Sequence, residues 1–497
     1  MHGTLTSLYR TPKDGFSLYT YVKANKGKCA FLLATCLFVT LSIALSNTPY
    51  LDDIRRQMTG EANFGKHASR YGSDYIAYMI NGGSYLPDLG NFSYLLSGVL
   101  MTLTVIMTSA SLSRHRHMHW ATCFAGIVMV INPWFLNCLV FRFDNPYMSL
   151  SLLASVLPFI YYGQRKFYPI SICSLFVMFN TYQASSGIYL VVLIAKVLLE
   201  MQGKQAVQEI IKKVAGGLLS FAIASIAYLV EVKLLPGDFV RNGLHTTLPP
   251  LSRLIPTAIH NYQAYWTTIV ADSKRSWVLL SAFVLLVFVV TFKSSKHRLA
   301  AITINSLAVF AMLLASYGIY AVNAESLIES QLRYGYGLAY AIGIMAILAA
   351  QTFIRKADQY VLAGPVAMLA FFMVSFSATY AYTAYANEQY FQIQATILTA
   401  NLNQDIPEKE ATIYSSYLLN DSQVYQSSLK KYPVMSRLAI SNTIFIWTNQ
   451  DKIKALTGFA WDFVGQSEVD TSQLELVNET AMYRLYHYKE GYYLDRK

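Results

Sequence analysis

The sequence predicts a polytopic α-helical membrane protein with about 11 transmembrane helices and a small α/β extracytoplasmic domain at the C-terminus. Of its 497 residues, 54% are hydrophobic and 13% are charged, and the mean hydropathy is +0.34. Soluble domains usually carry about 25% charged residues, so the composition favours a chain that lies largely in lipid. A net charge of +11 would suggest nucleic acid in a soluble protein, but at this hydropathy it predicts no nucleic-acid partner.

Ten apolar runs predict the membrane-spanning helices, because a helix needs about 20 apolar residues to cross a bilayer. They cover residues 29–46, 92–113, 120–139, 147–163, 169–199, 214–235, 277–292, 299–318, 337–354 and 360–383. The fifth run has 31 residues and contains the polar stretch 180–187, which predicts two short helices with a break between them. Such a break is tolerated only where protein or a water-filled cavity surrounds it. The total is therefore eleven crossings.

The distribution of Lys and Arg predicts the orientation of these helices, since cytoplasmic loops are enriched in cations. With the N-terminus in the cytoplasm, the inner segments hold 17 Lys and Arg against four acidic residues. The outer loops hold ten of each and cover residues 47–91, 140–146, 236–276 and 319–336. An odd number of crossings then places the C-terminus on the outer face.

Composition divides the chain into three segments. Residues 1–28 form a cytoplasmic N-terminal segment, 29–383 the transmembrane body and 384–497 a polar C-terminal domain. Within that domain, a helix-like stretch at 388–403 and strand-like runs at 411–414 and 482–488 predict an α/β fold. The five cysteines lie in or at the edge of apolar runs, so no disulfide framework is predicted.

The long outer loop 47–91 carries the first residues suited to catalysis. Asp52 and Asp53 come just after the first helix, and Arg55 and Arg56 follow at once. A carboxylate can accept the proton of a hydroxyl nucleophile, and Arg can hold a phosphate through two hydrogen bonds. The alternative is a loop whose charges are solvated or paired with one another.

Two further groups of polar residues lie at predicted helix ends. Arg142 and Asp144 occupy a very short outer turn, where they either line a cavity or pair with each other. Asn180, Tyr182 and Gln183 lie at the break in the fifth run. They could bind sugar hydroxyls, with Tyr182 as a stacking face, or they could join neighbouring helices by hydrogen bonds.

The outer loop 319–336 holds a third group. Glu325, Glu329 and Arg333 recur every four residues, so a helix would place them on one face. Arg333 lies next to a late helix and could reach a lipid phosphate, whereas the alternative is a salt-bridged surface turn. No metal-ligand spacing, glycine-rich phosphate loop, CxxC pair or GxSxG motif occurs, so no metal ion or cofactor is predicted.

Taken in order along the chain, these motifs resemble a known family. The pieces are Asp52-Asp53-Ile54-Arg55, Asn132-Pro133-Trp134-Phe135, Arg142-Phe143-Asp144, Tyr182-Gln183-Ala184-Ser185 and Arg333 before a late helix. The pattern resembles the serotype-converting O-antigen glucosyltransferases of bacteriophages and enteric bacteria, the glucosyltransferase type II group. The resemblance covers most of the membrane region and little of the C-terminal segment.

The resemblance implies a GT-C-like fold and inverting transfer of glucose from undecaprenyl-phosphate glucose to a sugar of lipid-linked O-antigen. The reaction would take place on the periplasmic face of the bacterial inner membrane, with a donor synthase and a donor flippase as functional partners. The resemblance further implies that Asp53 or Asp52 is the base, with Asp53 preferred. Its other implied residues are Arg55, Arg70 and Arg333 for the donor phosphate, and Arg142, Asp144, Tyr182, Gln183 and Glu325 as sugar-binding or structural residues. Arg70 departs from the family pattern, since Ala68-Ser69 precede it where the family has a Gly-Arg pair.

A transporter or flippase of a lipid-linked sugar is the alternative from another functional class. It would carry its charged residues mainly inside the helices, along the path of the substrate. Here they concentrate at the outer ends of the predicted helices, which favours an enzyme of the outer face. An O-antigen polymerase would also act on that face and is the second alternative.

Overall fold

The computed structural model describes residues 18–113, 117–203, 206–241, 248–353, 356–408, 410–467 and 469–496. The first 17 residues of the predicted cytoplasmic segment therefore lie outside the described residues. The chain divides into two compact units. The first comprises Met1–Ile43 and Glu61–Ala378, and the second comprises Ala44–Gly60 and Thr379–Lys497.

Helices dominate the described residues. In chain order they are α1 (Leu18–Ala24), α2 (Lys26–Ser46), α3 (Asp53–Thr59), α4 (Phe64–Ala68), α5 (Tyr71–Asn81), α6 (Asn91–Leu112), α7 (Trp120–Val130), α8 (Pro133–Leu139), α9 (Asn145–Val156), α10 (Phe167–Thr181), α11 (Ser186–Met201), α12 (Val207–Leu234), α13 (Asp238–Arg241), α14 (Leu254–Asp272), α15 (Arg275–Thr291), α16 (Arg298–Ala315), α17 (Leu327–Ser330), α18 (Tyr336–Ala350), α19 (Lys356–Asp405), α20 (Gln423–Lys431) and α21 (Trp447–Thr457). The predicted outer loops 47–91 and 236–276 thus contain helices, since α3, α4 and α5 lie in the first and α13 and α14 in the second.

Seven helical stretches of the described residues are long and apolar enough to cross a membrane. They are α2, α6, Gln183–Met201, α12, α16, Leu332–Ala350 and Tyr360–Asp405. Two bent pairs raise the number to nine if each counts as one span, namely α7 with α8, bent by 57°, and Leu251–Asp272 with α15, bent by 118°. The predicted count of eleven is therefore not confirmed.

The difference comes from two short helices. The apolar run 147–163 forms α9 with 12 residues, followed by a 3₁₀ turn at Leu157–Tyr161. Pro158 has no N–H for the next helical hydrogen bond, which accounts for the end of α9. The first half of the fifth run forms α10 with 15 residues, fewer than the ~20 needed to span a bilayer. The predicted break itself is confirmed, because α10 ends at Thr181 and α11 begins at Ser186.

Exposed apolar side chains support a multi-pass membrane protein. On α12, Leu219 is 61% exposed and Ile226 60% exposed; on α16, Leu307 is 64% and Phe310 is 62% exposed. Soluble proteins rarely leave such contiguous apolar surface open to water, whereas lipid covers it without cost. By contrast, every residue of α18 is buried, as expected for a helix that is apolar on all sides and lies within the core of the first unit.

The second unit contains a five-stranded mixed sheet. Its strands are β1 (Thr412–Ser415), β2 (Asp462–Gly465), β3 (Leu476–Glu479), β4 (Tyr483–Tyr488) and β5 (Gly491–Arg496), in the order β2-β1-β5-β4-β3. Strand β1 is parallel to β2 and β5, and β4 is antiparallel to β3 and β5. The strand-like runs 411–414 and 482–488 are thus confirmed as β1 and β4.

The predicted boundary at residues 383 and 384 falls inside α19, which continues to Asp405. The composition changes there, but backbone hydrogen bonding does not depend on side-chain polarity, so the helix continues. The predicted helix at 388–403 is the last part of α19, where Phe391, Leu398 and Leu402 enter the core of the second unit.

Candidate active site

Several apolar helices of the first unit are interrupted, and local sequence explains the interruptions. After α7, Asn132 is extended, and its Oδ1 accepts a hydrogen bond from Phe135 N at 2.9 Å. Asn132 therefore caps α8, with Pro133 in its first turn. After α10, Tyr182 is also extended, and a 3₁₀ turn at Gln183–Ser185 leads into α11. Backbone of this kind must be surrounded by protein or water.

Glycines allow the interrupted helix ends to pack together. A Cβ on Gly337, in the first turn of α18, would lie 2.0 Å from Ser316 O, and a Cβ on Gly187 in α11 would lie 2.6 Å from the same atom. A Cβ on Gly335 would lie 2.5 Å from the ring of Trp134 in α8. The starts of α8, α11 and α18 and the end of α16 therefore meet at one place.

Two arginines lie at this meeting point. The backbone N of Arg333 donates to Asn137 Oδ1 at 3.2 Å, and its Cζ lies 4.8 Å from the ring centroid of Phe141. Arg70, just before α5, has its Cζ 4.7 Å from the ring centroid of Tyr182. The Nε atoms of Arg70 and Arg333 are buried and have no hydrogen-bond partner among the described residues.

Tyr182 connects the two arginines. It is fully buried, and both guanidiniums are close enough to act electrostatically on its hydroxyl. The hydroxyl lies beside the Cys138 thiol, and the ring stacks on Tyr336 with centroids 6.4 Å apart. Two cations at one buried aromatic side chain repel each other, and an anionic oxygen would relieve that repulsion while accepting from the Nε donors. The arrangement is suited to a phosphate group.

The other polar residues at the break in the fifth run are used between helices. Gln183 Nε2 donates to Tyr228 Oη at 2.5 Å, and Asn180 Nδ2 donates to Glu231 Oε2 at 2.6 Å. Both partners lie on α12, so these bonds tie α10 and the turn after it to α12. The sequence leaves open whether these residues bind sugar hydroxyls or join helices. In the structure, Asn180 and Gln183 form hydrogen bonds that join helices.

Arg142 and Asp144 lie in the buried turn before α9. Arg142 Nη1 donates to Asp88 Oδ2 at 2.7 Å, and the Arg142 side chain is 7% exposed. Asp144 is buried and close enough to Arg333 to stabilise its positive charge. The pair of Arg142 and Asp88 lines a small cavity together with Tyr147. In this turn, Arg142 therefore holds Asp88 through an ion pair, and Asp144 balances the positive charge of Arg333.

Glu325, Glu329 and Arg333 do not share one helix face, so that prediction is wrong. Helix α17 includes Glu329, but Gln331 is extended with φ −138° and ψ 116°, and Arg333 lies in a separate 3₁₀ turn. Glu325 precedes α17 and is exposed. The extended residue removes the four-residue periodicity on which the prediction rested, and only Arg333 lies at the meeting point of the helix ends.

Asp52 and Asp53 belong to the second unit and differ in environment. Leu51 has a left-handed backbone with φ 44°, and α3 begins two residues later. Asp53 is fully buried, and its Oδ2 accepts from Tyr50 N at 3.1 Å. The Asp52 side chain is 56% exposed, with Arg56 Nη2 3.8 Å from its Oδ2. Asp52 therefore presents its carboxylate to solvent, whereas Asp53 holds the turn that leads into α3.

Arg55, in α3, contacts two residues of α21. Its Nε donates to Asp451 Oδ2 at 2.8 Å, and its Cζ lies 4.0 Å from the ring centroid of Trp447. Its guanidinium thus has a carboxylate partner, in contrast to the Nε atoms of Arg70 and Arg333. The structure brings Arg70, Tyr182 and Arg333 together in the first unit, and Arg55, Asp52 and Asp53 lie in the second.

Sequence reasoning missed three partners of the predicted residues. Asp88 follows Leu86-Pro87 outside any motif, and Cys138 is hidden in an apolar run. Asp451 lies four residues after Trp447, a spacing that places both on one face of a helix and is the one available signal. Across the described ranges, no three His, Cys, Asp or Glu side chains are grouped so that they could hold a metal ion.

Comparison with known proteins gives two findings. The family model described as "Glucosyl transferase GtrII" matches residues 41–350. An "Uncharacterized 55.3 kDa protein in gtrB 5'region" of Salmonella phage P22 is 23% identical over 214 residues, which cover 42% of this chain and 44% of that protein. The chain therefore matches less than half the length of that relative. The family match includes Asp52, Arg70, Tyr182 and Arg333, whereas Asp451 lies beyond it.

Proposed function

The chain belongs to the GtrII glucosyl transferase family, and we propose that it transfers glucose from undecaprenyl-phosphate glucose to a sugar of lipid-linked O-antigen. Family membership supports glucosyl transfer, and the apolar helices support a donor that is anchored in a membrane. The fold is then GT-C-like, in the bacterial inner membrane, with the reaction on the periplasmic face. A donor synthase and a donor flippase supply the lipid-linked glucose.

The observation that carries this proposal is the convergence of Arg70 and Arg333 at Tyr182. Both guanidiniums lie against aromatic rings, and both keep a buried Nε donor without a hydrogen-bond partner among the described residues. Arginine binds phosphate oxygens through paired N–H donors, and aromatic stacking fixes the plane of the guanidinium in advance. In the proposed reaction these donors bind the phosphate of the donor lipid.

The chemical step is an in-line substitution at the anomeric carbon of glucose. A carboxylate accepts the proton of the acceptor hydroxyl, the hydroxyl oxygen forms a bond to C1, and the bond from C1 to the phosphate oxygen breaks. The anomeric configuration inverts, and the electron pair leaves with polyprenyl phosphate. Arg70 and Arg333 stabilise the negative charge that develops on this leaving group.

Asp52 is the better placed of the two adjacent carboxylates to act as the base. A base must come within hydrogen-bond distance of the acceptor hydroxyl, and Asp52 is exposed whereas Asp53 is fully buried. Asp53, whose carboxylate accepts from Tyr50 N, is assigned to holding the turn before α3. The family resemblance favours Asp53 by a small margin, whereas the burial of Asp53 and the exposure of Asp52 favour Asp52.

The direct test is glucosyl transfer by the purified chain. The chain is reconstituted with polyprenyl-phosphate glucose carrying radioactive glucose and with lipid-linked O-antigen, and incorporation of label into the O-antigen is measured. The Arg333→Gln and Arg70→Gln variants are each expected to lower kcat by about 10²–10³-fold, because each removes a donor to the leaving phosphate. Arg333→Lys is expected to restore part of the activity, since it keeps the charge but loses the planar fork.

Arg275→Gln is the matched control, because Arg275 is an exposed cation at the start of α15 and lies on the same predicted side of the membrane. It is expected to leave kcat and the donor KM unchanged. Full activity in both Arg70→Gln and Arg333→Gln would exclude the phosphate role. Movement of the lipid-linked sugar across vesicles without any transfer of glucose would replace the enzyme by a transporter.

A further inference from the structure

Helix α21 carries two side chains on one face that together hold Arg55. Trp447 and Asp451 are four residues apart, so they lie one helical turn apart on the same side. Arg55 stacks on the Trp447 ring and donates to Asp451 at 2.8 Å, so both its flat face and its edge are engaged. These three residues are called the Arg55 clamp below.

Other contacts fix α21 within the second unit. Lys452 Nζ donates to Glu388 Oε2 of α19 at 2.6 Å, and both side chains are buried. Asn449 Nδ2 donates to Ser441 O at 2.9 Å, and Ile453 lies in the hydrophobic core. A buried ion pair with good geometry defines the register of the elements it joins. Helix α21 is therefore a fixed support for Trp447 and Asp451.

Helix α3 needs such a support because it is only seven residues long. An isolated helix of this length is not stable, so tertiary contacts must set its position. Contacts of this kind include the burial of Asp53 and Ile54 and the attachment of Arg55 to α21. Asp52 directly precedes this helix and its side chain makes no capping hydrogen bond, so the position of its carboxylate depends on the placement of α3.

We propose that Trp447 and Asp451 are positioning residues for glucosyl transfer, which hold Arg55 and through it the orientation of Asp52. This inference rests on the proposed function and assigns Arg55 to the clamp rather than to the donor phosphate. It gives the C-terminal part of the second unit, Thr379–Lys497, a role in the reaction, although Trp447 and Asp451 lie beyond the residues that match the family model. The reacting groups are unchanged, and Asp451 acts only through Arg55.

A double-mutant cycle on the full-length chain tests the clamp. Arg55→Ala, Asp451→Asn and the double variant are compared by glucose transfer from polyprenyl-phosphate glucose to lipid-linked O-antigen. Each single variant is expected to lower kcat by about 10–100-fold, the size of effect that a misplaced catalytic group produces, and to leave the donor KM unchanged. The double variant should lose no more than Arg55→Ala alone, because Asp451 acts only through Arg55.

Asp462→Asn is the matched control. Asp462 Oδ1 pairs with Lys454 of α21 at 3.0 Å, so this variant also removes a carboxylate partner of α21, but not one that holds α3. It is expected to keep full activity. Trp447→Phe, which keeps a stacking ring, should retain more kcat than Trp447→Leu at equal melting temperature.

The outcomes separate the inference from the proposed function. A wild-type chain that transfers no glucose would overturn both. An active wild type with an unchanged kcat in Asp451→Asn, or with losses that multiply in the double variant, would overturn the clamp alone. A raised donor KM in Arg55→Ala, with Asp451→Asn unaffected, would return Arg55 to the phosphate role and overturn the clamp.

Discussion

At the residue scale, Asp52 and Asp53 differ in the property that a general base needs, which is access to its substrate. Asp52→Asn removes an exposed carboxylate that Arg56 approaches only to 3.8 Å, so it should not alter folding. We expect it to lower kcat by about 10²–10⁴-fold, the usual contribution of a general base. Glucose transfer and thermal melting in detergent, measured on the same preparation, check both parts.

The Asp53→Ala variant should behave in the opposite way. Asp53 is fully buried and accepts from Tyr50 N, so its removal leaves that buried N–H without its acceptor. We expect a loss of about 1–3 kcal/mol in the free energy of unfolding. Asp470→Ala, at an exposed carboxylate of the second unit, is the control. If Asp53→Asn is inactive at wild-type stability while Asp52→Asn is active, the two roles are exchanged.

Sequence spacing identifies this acidic pair but cannot divide the roles between its members. Their difference in burial arises from the left-handed backbone at Leu51 and from the packing of α3, neither of which leaves a signal in the sequence. The same holds for Arg333. Its position before an apolar helix identifies it as a candidate, but its neighbours Phe141 and Asp144 come from a turn that is far away in the sequence. Contacts between residues far apart in the chain are what local pattern reasoning misses.

At the element scale, the packing of interrupted helices depends on glycines that have no room for a side chain. A Cβ on Gly337 would lie 2.0 Å from the backbone oxygen of Ser316, which cannot move without shifting the end of α16. We therefore expect Gly337→Ala to destabilise the protein by at least about 1–3 kcal/mol. We also expect it to lower glucose transfer, since Arg333 lies four residues earlier. Thermal melting and transfer assays measure the two effects.

Gly27→Ala is the matched control for this variant. Gly27 also lies in an apolar helix, α2, but a Cβ there would meet no atom within 4 Å outside its chain neighbours, Lys26 and Lys28. Alanine is the better helix former by about 0.5–1 kcal/mol, so Gly27→Ala should leave stability unchanged or raise it slightly. Equal melting temperatures for Gly337→Ala and Gly27→Ala would contradict the close approach of α18 to Ser316.

The helices themselves follow the apolar runs closely, and the differences lie where chemistry interrupts hydrogen bonding. The run 120–139 is divided at Asn132-Pro133, and the run 147–163 ends its α-helix before Pro158. Apolar composition predicts that a segment lies in lipid or in a core, but it does not measure the length of unbroken helix. For this reason eleven predicted crossings correspond to seven to nine candidate spans in the described residues.

At the scale of the whole molecule, the distribution of Lys and Arg among the loops predicts the orientation of the chain in the membrane. The short segment 292–297 between α15 and α16 carries Lys293 and Lys296, and the turn before α10 carries Arg165 and Lys166. The predicted outer loops, by contrast, contain equal numbers of basic and acidic residues. Cationic loops are retained in the cytoplasm, so these two segments should face it. The second unit, with more acidic than basic residues after residue 383, should then face the periplasm.

Two single-cysteine variants of the full chain test this orientation. The variants are Gln164→Cys and Ser472→Cys. Gln164 lies in the exposed turn before α10, and Ser472 lies at an exposed position before β3. A membrane-impermeant maleimide should label Ser472→Cys in cells with a permeabilised outer membrane, and Gln164→Cys only after the inner membrane is opened. Four of the five native cysteines are buried and the fifth, Cys173, is exposed on α10, so labelling of the parent chain is measured as the background. The reverse labelling pattern would invert the topology and place Asp52 on the cytoplasmic side, where the proposed periplasmic reaction could not occur.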